Sequence, residues 1–358
     1  LNNYRGMGMS STTELTAVRA GHEFDEAALL AFLEQNIEGF KGPLKIQQFD
    51  GGQSNPTFKL FCGSGVYVMR KQPPGELLPS AHQVDREYRI MKALWSTDVP
   101  VPQMHCLCDD SSVIGTKFYV MAMVEGRIYS EILLPDVSPA DRREMYLDMM
   151  RVLARVHGVD YKTVDLETYG RPGNYYERQI SRWSKQYKGA EIDKLVSMDN
   201  LLEWVPKHLP ESSETTIAHG DFRLANMVFH PTEPRIVAVL DWELSTLGHP
   251  LADLGYSCME YNADFYGEVR LRGPERASLG IPSEEEMVAE YCKSSGRDKI
   301  DNWTFYVVYN LFRSAAIVQG VYKRGLDGNA SSESALTYGD ECRNRADRAW
   351  ELVQEMEA

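Results

Sequence analysis

His219-Gly220-Asp221-Phe222-Arg223-Leu224-Ala225-Asn226 is followed by Leu240-Asp241-Trp242-Glu243, whose Asp241 stands fifteen positions past Asn226. An Asp, an Asn five positions on and a second Asp at the end of the next strand form the set that phosphoryl transfer from Mg-ATP needs. That chemistry runs on positioning and charge neutralisation. Asp221 is then the base that accepts the proton of an attacking hydroxyl. Asn226 and Asp241 are the oxygen donors for Mg2+, a hard cation served by an amide oxygen and one carboxylate when phosphates and water supply the rest. Between them, Met227–His230 and Ile236–Leu240 read as a hairpin turned through Pro231-Thr232-Glu233-Pro234. It brings a loop residue and a strand-end residue to one side. A turn role for Asn226, or a capping role for Asp221 or Asp241, is reasonable singly; all three at this spacing fit a site.

The neighbours of this stretch refine the reading. No second His lies at metal spacing from His219, so it is assigned to packing or hydrogen-bonding the loop. Asp253 stands twelve positions past Asp241, which leaves no room for a long peptide-binding platform. The acceptor is therefore expected to be a small molecule, and Asp253 is expected to accept backbone N–H groups of the catalytic loop.

Upstream the chain is strand-rich. Residues 25–36 read as an amphipathic helix with Asp25 at its cap or in its first turn. Leu44–Phe49, Thr57–Phe61, Val66–Arg70, Met104–Cys108 and Phe118–Val124 read as strands, and Asp85–Trp95 as a helix. The turn Gly51-Gly52-Gln53-Ser54-Asn55 is the candidate phosphate clamp, with Gly52, Gln53, Ser54 and Asn55 as nucleotide contacts. It lacks the full G-x-G-x-x-G pattern, and it also reads as an ordinary hairpin. Alternation along Val66–Lys71 puts Val68 and Arg70 on one face and Tyr67, Met69 and Lys71 on the other. Arg70 is the candidate cation for the phosphates, with Lys71 as alternative and Glu87 as the partner that orients it. The bland reading of both cations is an exposed strand end. Tyr119–Gly126 reads as the hinge, with Met121 and Met123 as an apolar wall for adenine or as core.

From Gly126 onward the character is helical, over Asp141–Val159, Tyr176–Tyr187 and the region of Leu201–His208. The apolar stretch Val307–Val321 is broken by Asn310, Arg313 and Gln319. Tyr309 and Arg313 are candidates for the acceptor pocket; a core ion pair is the other reading of Arg313. Residues 1–22 form a flexible N-terminal segment, 23–124 a strand-rich lobe and 125–358 a helix-rich lobe, and cofactor clefts often lie between two such lobes.

Bulk properties exclude several classes. The 358 residues suit two lobes. A formal net charge of −14 argues against nucleic acid as partner. No apolar run is long enough for a membrane span. No secretory pattern is visible at the N-terminus, and six scattered cysteines without a zinc-type pairing suit reduced thiols in the cytoplasm.

The run from His219 to Asn226, the Leu240–Glu243 segment and Gly248-His249-Pro250-Leu251-Ala252-Asp253-Leu254 resemble the aminoglycoside phosphotransferase family of protein-kinase-like small-molecule kinases. The resemblance spans roughly residues 40–324. It implies an α+β, two-lobed protein-kinase-like fold with a small antiparallel-sheet lobe and a large, mainly helical lobe. It also implies ATP as donor and Mg2+ as cofactor. Gly220 stands where protein kinases carry an Arg that pairs with a phosphorylated segment, so no such switch is expected. Val68-Met69-Arg70-Lys71, Asp85-Arg86-Glu87-Tyr88 and Arg178-Gln179-Ile180 with Trp183 resemble the branch fused to some acyl-CoA dehydrogenases. That branch is associated with hydroxyacyl-CoA phosphorylation, which turns expectation away from an antibiotic acceptor. The competing reading is a kinase-fold nucleotide-binding protein without turnover.

Overall fold

The computed structural model describes residues 15–50, 55–75, 82–263, 271–273, 275–328 and 333–358. The N-terminal lobe is one antiparallel sheet in the order β1-β2-β3-β4-β6-β5. Its strands are Leu15–Thr16 (β1), Lys45–Phe49 (β2), Thr57–Cys62 (β3), Gly65–Lys71 (β4), Met104–Cys108 (β5) and Phe118–Ala122 (β6). The first two residues named lie in the N-terminal stretch expected to be flexible; they pair with Phe49 and Gln48. Residues 1–14 lie outside the described residues.

Alternation sorts this sheet between two cores. Phe58, Leu60, Met69, Phe118 and Val120 face a cluster with Leu29 and Leu33 of helix α1, Glu26–Asn36. The Asp25 carboxylate caps α1 by accepting the N–H groups of Ala27 and Ala28, both at 2.9 Å. Val68, Tyr119 and Met121 face the other cluster, shared with Val84, Ile90, Met91 and Leu94 of α2, Val84–Leu94, and continuous with the second lobe.

The larger lobe is helical: α3 (Pro139–Gly158), α4 (Tyr175–Ala190), α5 (Val196–Trp204), α6 (Pro250–Cys258), α7 (Glu275–Ser278), α8 (Glu284–Ser295), α9 (Trp303–Leu326) and α10 (Tyr338–Glu357). Two small antiparallel pairs sit among them. Thr216–Ala218 (β7) pairs with Thr246–Gly248 (β10), and Met227–Phe229 (β8) pairs with Ile236–Val239 (β9). The β8–β9 pair is the expected hairpin. Among the described residues no helix is long and apolar enough to cross a membrane.

The connection between lobes is fixed to that hairpin. Arg127 and Phe229 exchange two backbone hydrogen bonds of 2.8 Å. The Arg127 guanidinium also donates to the carbonyls of His230 and Glu233. Gly126 must be glycine here, because a Cβ would lie 2.3 Å from the Phe229 carbonyl oxygen. The element that carries Asn226 and Asp241 is thereby tied to the chain crossing between lobes.

Candidate active site

The loop His219–Asn226 leaves β7 and enters β8, and each of its first four residues is held by a named partner. Asp253, 2% exposed on α6, accepts the N–H of His219 at 2.6 Å and of Gly220 at 2.9 Å. Burial opposes ionisation of Asp253. His157 and the Gly220 N–H outweigh it and hold the carboxyl below the usual range. Ser257 donates to the Phe222 carbonyl at 2.7 Å. The buried His219 ring touches the Leu240 carbonyl at 3.0 Å through Nε2, accepts the Asp221 N–H at Nδ1, and packs on Trp242. Asp253 and the His219 ring thus hold the backbone of this loop through hydrogen bonds.

Gly220 has φ +86°, and a Cβ there would lie 2.7 Å from the Leu244 carbonyl oxygen. The loop needs both the left-handed backbone and the missing side chain.

The Asp221 carboxylate is surrounded by donors. Asn226 Nδ2 donates to Oδ2 at 2.9 Å and Arg223 Nε donates to Oδ2 at 3.2 Å. The Tyr256 hydroxyl donates to Oδ1. Burial pushes the carboxyl up, but Arg223, Tyr256 and Asn226 together hold it below its ordinary value, so it is an ionised acceptor at neutral pH.

The hairpin brings the second acid alongside. The Leu240 N–H donates to the Asn226 carbonyl at 2.9 Å, so Asn226 and Asp241 flank one backbone bond. Asp241 takes a left-handed conformation, φ 62° and ψ 56°, which is uncommon outside glycine and is tolerated by Asp. Arg70 Nη2 donates to Asp241 Oδ1 at 2.8 Å, and Arg70 Nε lies 3.4 Å from Glu87 Oε2. Glu87, fully buried, also accepts from the Tyr119 hydroxyl at 2.9 Å and from Asn55 Nδ2 at 3.1 Å. Burial pushes the Glu87 carboxyl up to about 7, against the pull of Arg70 and Tyr119. For Arg70, burial alone would lower the pKa; Glu87 and Asp241 reverse that and keep it charged. Carboxylate oxygens of Glu87, Asp241 and Glu243 lie within 4.8 Å of one another. The Arg70 guanidinium sits among them, 3.8 Å from Glu243.

The two adjacent cations of β4 separate as alternation requires. Lys71 is buried on the far face, its Nζ 5.7 Å from the Phe24 ring, and burial lowers its pKa. Arg70 is the one that faces the acidic cluster.

The remaining expected contacts fall as follows. Gly52, Gln53 and Ser54 lie outside the described residues. Asn55 is 1% exposed, and its side chain is engaged by Glu87 and by the His82 ring at 3.1 Å. It braces the Arg70–Glu87 pair instead of presenting its amide to a ligand. Met121 is buried in the core shared with α2, and Met123 packs against the same core. Tyr309 is fully buried in an aromatic cluster with Tyr176 and Phe305. Arg313 donates to the Gly220 carbonyl at 2.9 Å. The polar residues that break α9 are turned inward in the same way: Asn310 Nδ2 bonds the Ala252 carbonyl and Gln319 Nε2 the Ala190 carbonyl. These amides find backbone acceptors in neighbouring helices, which avoids the cost of burying the amide N–H groups unsatisfied.

Sequence reasoning missed Arg223, Tyr256, Glu243 and His82. Tyr256 follows Asp253 by three positions on α6, a spacing that puts both on one helix face. That signal was legible.

A model of the phosphotransferase enzyme family matches residues 45–287. Acyl-CoA dehydrogenase family member 10 from Mus musculus is 47% identical over 328 residues, which cover 90% of this chain and 31% of that protein. The chain therefore spans about a third of that relative's length. A crystal structure from Ralstonia eutropha, provisionally described as an aminoglycoside phosphotransferase, shares 47% identity with a TM-score of 0.85, over 93% of this chain and 99% of that one. The fold alone is shared with a thermostable mutant of an aminoglycoside phosphotransferase in ternary complex with AMP-PNP and hygromycin B. That likeness has a TM-score of 0.59 at 15% identity, over 91% and 99% of the two chains. The chain belongs to the phosphotransferase enzyme family, with the two-lobed kinase-like fold.

Proposed function

We propose that this protein transfers the γ-phosphoryl group of ATP, with Mg2+, to a hydroxyl of a small molecule, and that Asp221 is the base. One observation carries this reading. The β8–β9 hairpin returns Asp241 beside Asn226, and Asn226 Nδ2 in turn reaches the Asp221 carboxylate at 2.9 Å. Two hard oxygen donors of the type Mg2+ takes thus stand next to an ionised proton acceptor.

Asn226 and Asp241 would hold the metal, which neutralises phosphate charge when bound. Arg70, kept charged and oriented by Glu87, is the cation for the phosphates. Asp221 receives the acceptor's hydroxyl proton as the acceptor oxygen bonds to the γ-phosphorus and the bond from that phosphorus to the bridging oxygen breaks. Its low basicity suits a role in orienting the hydroxyl more than in removing the proton early.

For the acceptor, the exposed side chain at the base is informative. Arg223 is 53% exposed and lies 3.2 Å from Asp221 Oδ2. A cation there repels a polycationic acceptor and attracts an anionic one. The mouse relative is named for acyl-CoA. Hydroxyacyl-CoA thioesters are therefore the acceptor class proposed for this chain, in a cytoplasmic setting.

The test is incubation with Mg-ATP and two acceptor pools, aminoglycosides in one and hydroxyacyl-CoA thioesters in the other, read by mass spectrometry for one added phosphoryl group. Phosphorylation in the thioester pool is expected. Asp221→Asn should lower turnover by about a hundredfold or more. A variant as active as wild type would remove Asp221 from the base role. Nucleotide binding without any transfer would leave a non-catalytic nucleotide-binding protein.

A further inference from the structure

The Asp221 carboxylate is held by a residue that lies outside the loop and outside the metal and phosphate positions. The Tyr256 hydroxyl donates to Asp221 Oδ1. Oδ2 is shared between Asn226 and Arg223. Tyr256 is therefore the sole described side chain bonded to Oδ1.

The support behind Tyr256 is itself fixed. On α6 it stands one turn beyond Asp253, whose carboxylate takes the His219 and Gly220 N–H groups. Its neighbour Ser257 bonds the Phe222 carbonyl. One helix thus grips four consecutive residues of the loop, and Tyr256 is the member of that grip that reaches the reacting carboxylate. On its other side the ring meets the Arg313 guanidinium, 5.4 Å from the ring centroid. Arg313 in turn donates to the Gly220 carbonyl at 2.9 Å and lies 5.8 Å from the Trp183 ring. A cation against the ring face is attracted by the π-system, so α9 braces Tyr256 from behind. Burial and the Asp221 charge both raise the pKa of the phenol, which keeps it a donor.

We propose that Tyr256 is a positioning residue for phosphoryl transfer: it fixes the plane of the Asp221 carboxylate so that the free lone pairs face the acceptor hydroxyl. This rests on the reading of Asp221 as base. Without the phenol, Oδ1 loses its described protein partner, and the carboxylate is restrained only at Oδ2. Rotation about the Cβ–Cγ bond then spreads it over orientations that do not meet the hydroxyl. Misplacement of a catalytic group by small distances costs rate, not ground-state affinity.

The test is a double-mutant cycle of Tyr256→Phe and Asp221→Asn, read as ADP release from Mg-ATP. The acceptor is a hydroxyacyl-CoA thioester or, failing turnover of that, water. Tyr256→Phe is expected to lower kcat roughly ten- to a hundredfold, the range for one hydrogen bond to a charged group. The KM for ATP should stay within about twofold. Added to Asp221→Asn, it should cost less than about twofold more, because it acts through the carboxylate. If Tyr256→Phe fails to fold, Tyr256→Met, which also lacks the hydroxyl donor, runs the same cycle. A Tyr256→Phe enzyme with near wild-type kcat overturns the proposal. So does an equal fold loss in both backgrounds, which would show a general structural effect. Wild-type activity in Asp221→Asn alone would instead overturn the base assignment beneath it.

Discussion

Asp253→Asn is the sharpest probe of how the catalytic loop is held, because it changes charge and donor pattern at constant shape. In the wild type both carboxylate oxygens accept: Oδ1 from Gly220 N–H at 2.9 Å, Oδ2 from His219 N–H at 2.6 Å and from His157 Nε2 at 3.4 Å. A carboxamide offers one acceptor and one donor. Whichever way it turns, its NH2 faces a backbone N–H, and that group is left buried and unpaired. The cost is about 1–3 kcal/mol for the orphaned donor, and about 1 kcal/mol more for the lost charge assistance on the bond that survives. The sum is roughly 2–4 kcal/mol, or a fall in Tm of about 3–5 °C for a chain of this length. Thermal melting by circular dichroism at pH 7 measures it, and Mg-dependent ADP release should fall in parallel as the loop shifts.

The pH dependence has a definite sign. The folded carboxyl of Asp253 is depressed below its unfolded value. Its stabilisation is therefore fully present above the unfolded pKa of about 3.9 and is lost as pH falls through the lower folded value. The gap between wild type and variant should be constant from pH 6 to 8 and should narrow at the acid end. A variant melting within about 2 °C of wild type at pH 7, or a gap that widens in acid, would refute the reasoning.

Two further substitutions test the other supports. Arg70→Lys keeps the charge but cannot span Glu87 and Asp241 as the guanidinium does; the KM for ATP should rise about tenfold, a loss of about 1.4 kcal/mol, and an unchanged KM in steady-state kinetics would take Arg70 off the phosphates. Gly220→Ala puts a Cβ 2.7 Å from the Leu244 carbonyl oxygen on a backbone with φ +86°. It should cost at least about 1–2 kcal/mol and most of the turnover, and a variant with wild-type melting and kcat would show that the loop is not confined there.

The legible parts of this molecule are those where one local rule decides. The hairpin between Asn226 and Asp241 was readable because two prolines and a polar turn interrupt two apolar runs. The face assignment of Arg70 and Lys71 followed from period-two alternation alone. Helix α1 announced itself through Asp25. The paired strands β7 and β10, three residues each, are too short to show a period. Arg313, Asn310 and Gln319 were visible as polar interruptions of α9, but their targets are carbonyls of residues 58 to 129 positions away. Nothing local encodes which neighbour a helix face will meet. The same holds for Tyr309, whose burial against Tyr176 and Phe305 no local pattern shows.

The contacts of α2 carry the argument one step further. In kinases that switch, the ion pair between the strand cation and this helix must be assembled by helix movement. Here Arg86, next to Glu87, donates to the carbonyls of Tyr169 at 2.8 Å and Ser245 at 3.3 Å, with its guanidinium 4.2 Å from the Tyr169 ring centroid. One turn on, Arg89 donates to the Asp165 carbonyl and the Thr168 hydroxyl. Both arginines belong to the smaller lobe, and all their acceptors belong to the larger one. Swinging α2 outward would strip these cations of acceptors and part Glu87 from Arg70 in the same motion. With glycine at position 220, that position of the His219–Asn226 loop offers no cation to pair with a phosphorylated segment. The Arg70–Glu87 pair is therefore held in place by contacts that α2 makes with the larger lobe, and Arg223 stands exposed beside Asp221.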